Sequence, residues 1–101
     1  LTSGFSTSAA EVFTLAMRAW PQVIHLGEPS NGALSDVLSK PLANGWVFEL
    51  ANEVYLDAEG ASYEATGIPP DLGVPIFSAE ARAIGRDSGL DAALNYLGVE
   101  I

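Results

Sequence analysis

The pattern of apolar positions predicts an amphipathic helix near the start of the chain. Apolar side chains recur at the spacing of one helical face at Ala9, Val12, Phe13, Ala16, Met17 and Trp20. This spacing predicts a helix with one buried stripe, and Glu11, Thr14 and Arg18 fall on the other, polar side. Pro21 is expected to end the helix, because proline disfavours the helical conformation of the residue before it.

The segments after this helix predict strands joined by turns. The short apolar run 23–26 lies between proline-containing segments and fits a buried strand of an α/β unit. Three further stretches rich in large apolar side chains predict antiparallel strands at 33–38, 46–50 and 53–57. The Asn44-Gly45 pair suits a type I′ hairpin turn, and a second turn is expected at 58–60.

The remaining segment predicts a stiff loop followed by two short helices. Residues 67–75 hold three of the six prolines and are expected to form a rigid extended loop. Ser78 and Asp87-Ser88 are expected to cap the two helices. The second helix presents an apolar face formed by Leu90, Ala93, Leu94 and Leu97.

Composition and charge narrow the classes of function. Of the 101 residues 49% are hydrophobic, which is typical of a folded chain of one domain or less. The net charge is −9, and the four basic residues lie far apart, so neither a nucleic acid nor an anionic membrane is expected as a partner. The absence of cysteine excludes disulfides, thiolate metal sites and a cysteine nucleophile. The sequence has no glycine-rich phosphate loop and no metal-ligand cluster, so no metal and no cofactor are expected.

The two ends of the sequence give little information on targeting. No apolar run approaches the roughly 18 residues of a membrane span. The first residues, LTSG, have neither an initiator Met nor the features of a signal peptide. We therefore expect this chain to be a piece of a longer protein.

Ser8 is the strongest candidate for a reacting group. It stands at the start of the predicted helix, where free N–H groups and the positive end of the helix dipole stabilise developing negative charge. The alternative is a capping box with Glu11, in which the Ser8 oxygen only caps the helix. Spacing alone favours the cap.

Three other polar residues are candidate partners of Ser8. His25, the only histidine, lies on the predicted strand that returns toward Ser8, but the alternation of side chains along a strand favours a strand residue with a satisfied ring that points away from Ser8. Lys40 is expected to be solvated. Glu64 precedes the stiff loop and could orient a base, although most acidic side chains are simply solvated.

Three motifs occur in an order that resembles one enzyme family. They are TSAAE at 7–11, GEPSNG at 27–32 and YEATGIPPD at 63–71. Over residues 1 to about 77 the chain resembles the C-terminal half of the catalytic domain of the carboxy-terminal processing, or tail-specific, serine peptidases. The resemblance implies a crotonase-like α/β core, of which residues 1–101 are the C-terminal part, and hydrolysis of peptide bonds.

The resemblance also implies roles for individual residues. Ser8 occupies the serine of the family's Ser-Ala-x-Glu segment and would be the nucleophile. In the Ser-Lys branch a lysine follows the glycine of the Gly-Glu-Pro loop, but here Ala33 follows Gly32. Two alternatives remain. One is the tricorn-like branch, in which Glu64 matches the glutamate of a Ser-His-Glu triad. The other is a noncatalytic branch that resembles the interphotoreceptor retinoid-binding protein modules, which bind apolar ligands.

The peptidase alternative leads to further expectations. Glu64 should be buried and hydrogen-bonded as the partner of a histidine. The Ala9 N–H is expected to bind the oxyanion, because the residue after the nucleophile presents its amide at the helix start. The histidine and a second oxyanion donor would come from the N-terminal remainder of the protein. The expected partners are that remainder and a peptide or protein substrate, and the isolated piece should be inactive. Family resemblance implies a periplasmic or cell-envelope location.

Overall fold

The structure, a computed structural model that describes residues 1–99, combines helices with short strands. In chain order the elements are α1 (Ala9–Arg18), β1 (Leu26–Gly27), β2 (Val37–Pro41), β3 (Val47–Ala51), β4 (Leu72–Gly73), α2 (Ala79–Ala83) and α3 (Ser88–Tyr96). The order confirms the mixed helix and strand character that the sequence predicts. None of the helices within residues 1–99 is long and apolar enough to span a membrane.

Parallel pairing around β1 organises the part of the chain that contains Ser8. β1 pairs with β4 in parallel, with Leu26 opposite Leu72, and Thr2 forms a parallel bridge with Gly27. Because Thr2 and β1 run in the same direction, α1 is the crossover that connects them, as in a βαβ unit. The start of α1 therefore lies at one end of this small parallel arrangement.

The interior of the described chain is largely polar. Its buried apolar side chains are Leu26, Leu34 and Ile68, whereas its buried polar side chains are Thr2, Ser3, Glu11, His25 and Ser30. Every buried side-chain nitrogen and oxygen within residues 1–99 has a hydrogen-bond partner. The segments are thus joined by a satisfied polar network as much as by apolar packing.

The prediction of which face of α1 is buried is wrong for this chain. Phe13 and Trp20 of the apolar stripe are 65% and 59% exposed, whereas Glu11 of the predicted polar side is fully buried. The helix turns Glu11 toward the loop at 27–34, where three donors, together with the Ser8 N–H, compensate the loss of water. Periodicity identifies an apolar face, but burial needs an element that packs on it.

The strands differ from their predicted ranges. The buried strand expected at 23–26 is confined to β1, the strand expected at 33–38 begins later, and 53–57 is not a strand. β2 and β3 form an antiparallel hairpin in which all ten residues are exposed. Because this hairpin has no described layer on either face, its apolar side chains stay open to solvent.

The hairpin turn is of a different type from the one predicted. Leu42 O accepts the Gly45 N–H at 2.9 Å, and the Leu42 N–H donates to Trp46 O at 2.7 Å. Gly45 has φ 85°, but Asn44 is not among the described residues with positive φ. A type I′ turn needs positive φ at both central residues, so this is a three-residue loop with a left-handed glycine.

The predicted turn and helix caps are confirmed, whereas the loop expected at 67–75 contains the short strand β4. A turn forms at 58–60. The Ser78 side chain accepts the Ala81 N–H, and Asp87 accepts the N–H groups of Gly89 and Leu90. The apolar face of α3 is only partly covered, since Leu97 is 72% exposed.

Candidate functional site

Ser8 has a backbone conformation that is rare for a residue with a side chain. Its φ is 56° and its ψ is −123°. Positive φ is uncommon outside glycine, and this ψ lies outside the left-handed helical region. Such conformations cost about 1–3 kcal/mol and cluster at functional sites. Ser8 is exposed, and its side chain makes no capping hydrogen bond, so the hydroxyl faces solvent at the positive end of α1.

The two backbone N–H groups beside this hydroxyl differ in their hydrogen bonding. The Ser8 N–H is shared between Ala33 O and Glu11 Oε2, each 3.0 Å away. Ser8 and Glu11 are in a capping-box arrangement, but only the Glu11 arm forms a full hydrogen bond. The Ala9 N–H has no hydrogen-bond partner within residues 1–99, as expected for the first residue of a helix. It is therefore free to bind an oxyanion.

Glu11 is the buried carboxylate behind Ser8. Besides the Ser8 N–H it accepts the Ser30 hydroxyl at 2.6 Å, the Gly32 N–H at 2.7 Å and the Ala33 N–H at 3.0 Å. Burial raises the pKa of the Glu11 carboxyl, but the hydrogen bonds together outweigh burial and hold this pKa below its ordinary value. The capping-box alternative anticipated the contact with the Ser8 N–H, but sequence reasoning missed the burial of Glu11 and its hydrogen bonds to Ser30, Gly32 and Ala33.

Glu64 and Ser8 are hydrogen-bonded to the same loop, at residues 33–35. Its Oε2 accepts the N–H groups of Leu34 at 3.0 Å and Ser35 at 3.1 Å. These residues directly follow Ala33, whose carbonyl accepts the Ser8 N–H. Glu64 Oε1 has no hydrogen-bond partner among the described residues. The expected hydrogen bonding is present, but the expected burial is not: Glu64 is exposed, because no described element covers it.

His25 is not brought to Ser8. It is buried, with Nε2 2.5 Å from Thr2 Oγ1 and Nδ1 2.9 Å from Arg18 Nη1. A guanidinium only donates, so Nδ1 accepts, and the Nε2–H donates to Thr2. The Thr2 hydroxyl in turn donates to Glu28 O at 2.8 Å. Burial and the positive charge of Arg18 lower the pKa of His25, so the ring is neutral and satisfied.

The exposed side of Ser8 borders a shallow cavity. The cavity has a volume of about 330 Å³ and is lined by Ser8, Ala9, Val12, Leu34, Asp36 and Tyr55. Ala9, Val12 and Leu34 give it apolar surface, and Asp36 and Tyr55 add polar groups. An extended chain bound there would contact both Ser8 and the start of α1.

Other chemistries find little support in the described part of the chain. No group of three or more His, Cys, Asp or Glu side chains within residues 1–99 has a metal-binding arrangement. Lys40 lies in β2 and is exposed, in agreement with the expectation that it is solvated.

Comparisons with known proteins identify a family and two similar structures. The sequence profile of Peptidase family S41 matches residues 1–74. The structure is similar to that of a candidate peptidase from Parabacteroides merdae, with a TM-score of 0.80 and 35% sequence identity, covering 91% of this chain and 29% of that one. Mature CPAF, solved in complex with lactacystin, has a TM-score of 0.69 at 18% identity, covering 91% of this chain and 17% of that chain, and shows likeness of fold alone. No curated protein matches the sequence.

The chain thus spans less than a third of the length of either structure. Because the family match covers most of the sequence and includes both Ser8 and Glu64, the chain belongs to peptidase family S41.

Proposed function

We propose that the protein is a serine-type endopeptidase and that this chain is the C-terminal part of its single catalytic domain, with a crotonase-like α/β core. Ser8 is the nucleophile, and the base is a histidine outside this chain, as in the tricorn-like branch. The likeness to a candidate peptidase over 91% of this chain supports the assignment. The parallel pairing around β1 supports the α/β core.

The observation that carries this proposal is the conformation of Ser8. An N-cap serine ordinarily has extended φ and ψ and accepts a backbone N–H through its side chain. Ser8 does neither, and its positive φ presents an uncapped hydroxyl to solvent beside a free Ala9 N–H. A nucleophile adjacent to an oxyanion donor has this arrangement in acyl-transfer enzymes.

The proposed chemistry follows from these positions. The histidine takes the Ser8 proton as Oγ attacks the scissile carbonyl, and the oxyanion binds the Ala9 N–H together with a donor outside this chain. The same histidine then protonates the amine as the C–N bond breaks, and an acyl-enzyme remains at Ser8. Water hydrolyses that ester and restores the serine.

Glu64 is proposed to orient and stabilise the histidine. The Leu34 and Ser35 N–H groups fix Glu64 Oε2, while Oε1 remains available for an imidazole N–H. A carboxylate held in this way selects the tautomer of the imidazole and stabilises the imidazolium as it forms.

Labelling of the full-length protein by a fluorophosphonate tests the proposal. We expect the label at Ser8, identified by peptide mapping, and its loss in Ser8→Ala. Ser39→Ala removes an exposed hydroxyl on the hairpin and is the matched control, which should label like the parent. Absence of labelling, with saturable binding of a retinoid or fatty acid, would instead support the apolar-ligand-binding alternative.

A further inference from the structure

Glu11 connects three segments that hold the proposed reacting groups. Its carboxylate binds the Ser8 N–H and the N–H groups of Gly32 and Ala33 in the following loop. Its third connection is the Ser30 hydroxyl, which donates to Glu11 Oε1 at 2.6 Å and accepts the Ile68 N–H at 2.8 Å. Ile68 lies four residues after Glu64 in the same segment. The buried Glu11 carboxylate therefore links the turn before α1 to the loop at 30–33 and, through Ser30, to the segment that contains Glu64.

The four groups around Glu11 all donate, so the site is built for a carboxylate. Three are backbone amides, whose directions are fixed by the chain, and the side chain is 0% exposed. A glutamine would offer one oxygen where the carboxylate offers two, and its NH₂ group would face donors. The shape of the side chain would be kept, but at least one of the amides would lose its acceptor.

This carboxylate also bears on the strained residue. A backbone with φ 56° persists only where its surroundings over-determine it. The contacts that hold the Ser8 N–H are Glu11 Oε2 and Ala33 O, and Ala33 is itself held by Glu11. The ψ of Ser8 sets the direction of the Ala9 N–H. If the Ser8 backbone relaxed, the hydroxyl and the oxyanion donor would be displaced together.

We propose that Glu11 is a positioning residue that holds the Ser8 hydroxyl and the Ala9 N–H in register for acyl transfer. The proposal rests on the proposed function of Ser8. Glu11 exchanges no proton and contacts no substrate, and it acts only through the backbone that it binds.

The test is Glu11→Gln in the full-length protein. We expect the rate constant for fluorophosphonate labelling of Ser8 to fall about 10²-fold, as for a misplacement of about 1 Å. We also expect kcat for a peptide to fall while KM is little changed, because the cavity beside Ser8 is not lined by Glu11. Hydrogen exchange at the Ser8, Gly32 and Ala33 amides should accelerate in the same variant.

Two further variants keep the test decisive. Asp87→Asn also converts a carboxylate that accepts two backbone N–H groups, but at the start of α3, and it should label like the parent. Ser30→Ala removes one of the four donors and should lower the labelling rate less, about 10-fold. If Glu11→Gln does not fold, the labelling rate of Ser30→Ala decides whether the positioning role holds.

The outcomes separate the two proposals. A parent protein that labels at Ser8, with folded variants that label at the parental rate, would overturn the positioning role alone. A parent protein that does not label would overturn the proposed function and the positioning role with it.

Discussion

At the scale of single residues, Ser8 differs from the helix caps elsewhere in the chain. Asp87 caps α3 through two hydrogen bonds from backbone N–H groups, and Ser78 caps α2 through one. Ser8 occupies the equivalent place before α1, but its side chain makes no capping hydrogen bond. The hydroxyl of Ser8 is therefore available for a function other than helix stabilisation.

This difference predicts how stability responds to substitution. We expect Ser8→Ala to lower the free energy of unfolding by less than about 0.5 kcal/mol, the lower limit for loss of a side-chain cap. Asp87→Ala is the control and should cost about 0.5–2 kcal/mol, because it removes a working cap. Urea unfolding of both variants measures this, and a larger loss in Ser8→Ala than in Asp87→Ala would show that Ser8 is mainly a cap.

Glu64 gives a prediction about catalysis. Glu64→Gln keeps the shape of the side chain but removes the charge that would stabilise an imidazolium. Removal of the corresponding charge in a Ser-His-Asp triad lowers kcat about 10⁴-fold. We therefore expect Glu64→Gln in the full-length protein to lose several orders of magnitude in kcat with little change in KM, the pattern of an interaction made in the transition state.

Glu59→Gln is the matched control for this measurement. Glu59 is an exposed acid on the turn at 58–60, and its substitution should leave the rate unchanged. Equal peptide hydrolysis by the parent and both variants would make Glu64 an ordinary surface acid.

His25 gives a prediction about pH. Its pKa is lowered below the ordinary value of 6.5, first by burial and then by Arg18. Below about pH 6.5 the unfolded chain therefore binds a proton that the folded chain refuses, so stability falls as the pH drops through this range. Above that range His25 is neutral in both states and contributes no pH dependence.

An NMR titration of the His25 ring measures this pKa. Arg18→Gln removes the neighbouring charge and should raise the pKa of His25. Arg86→Gln removes an arginine that pairs with Asp91 on α3 and should leave it unchanged. A His25 that titrates in Arg18→Gln as it does in the parent would contradict the assigned cause.

At the scale of elements, two loops cross where glycine leaves room for a neighbouring backbone. Gly67 has φ 78°, and a Cβ there would lie 2.1 Å from the Ser30 carbonyl oxygen. The same loops are joined by reciprocal hydrogen bonds, since the Ser30 N–H donates to Ile68 O and the Ile68 N–H donates to the Ser30 hydroxyl. The crossing sets the position of the segment that begins with Tyr63 and Glu64.

Gly67→Ala should therefore lower the free energy of unfolding by more than the strain of a positive φ alone would. Gly60 has a similar φ of 84° with nothing near the position of a Cβ, so Gly60→Ala should cost about 1–2 kcal/mol. For Gly67→Ala we expect about 2–5 kcal/mol, because a steric clash with backbone adds about 1–3 kcal/mol. Chemical denaturation of the two variants compares them, and equal losses would show that the loops separate easily.

At the scale of the whole molecule, the chain is extended. Its radius of gyration is 17.1 Å, with extents of 60 × 35 × 17 Å, whereas a compact chain of about 100 residues has about 13 Å. Apolar side chains on α1, β2, β3 and α3 are exposed, among them Phe13, Val47 and Leu90. Exposed apolar surface of this extent is typical of a face that packs against further protein.

We expect residues 1–101 in isolation to show no peptidase activity. Both ring nitrogens of His25 are already engaged by Thr2 and Arg18, so the described chain offers Ser8 no histidine base. A sensitive peptide-cleavage assay on the isolated chain tests this. Hydrolysis that disappears in His25→Ala would contradict it and indicate a Ser8-His25 dyad.

The features that follow from neighbours in sequence were predictable. Helix α1, predicted to run to Trp20 and observed at Ala9–Arg18, depends on contacts within a few residues, as do the caps at Ser78 and Asp87 and the turn at 58–60. The three motifs that indicate the peptidase family are also local, and they place Ser8 before α1 without any knowledge of the fold. The α/β class was implied by the resemblance to the peptidase family, and the apolar run at 23–26 fitted a strand of such a fold.

The features that depend on distant parts of the chain were decided by the tertiary structure. Glu11 is buried because donors from residues 30–33 reach it, and Glu64 is bound to N–H groups thirty residues away in sequence. Other long-range contacts support the positive φ of Ser8, through Ala33 O, and occupy the ring of His25, through Thr2. A local pattern gives the preferences of a segment, whereas burial and a strained backbone depend on which distant groups pack against it.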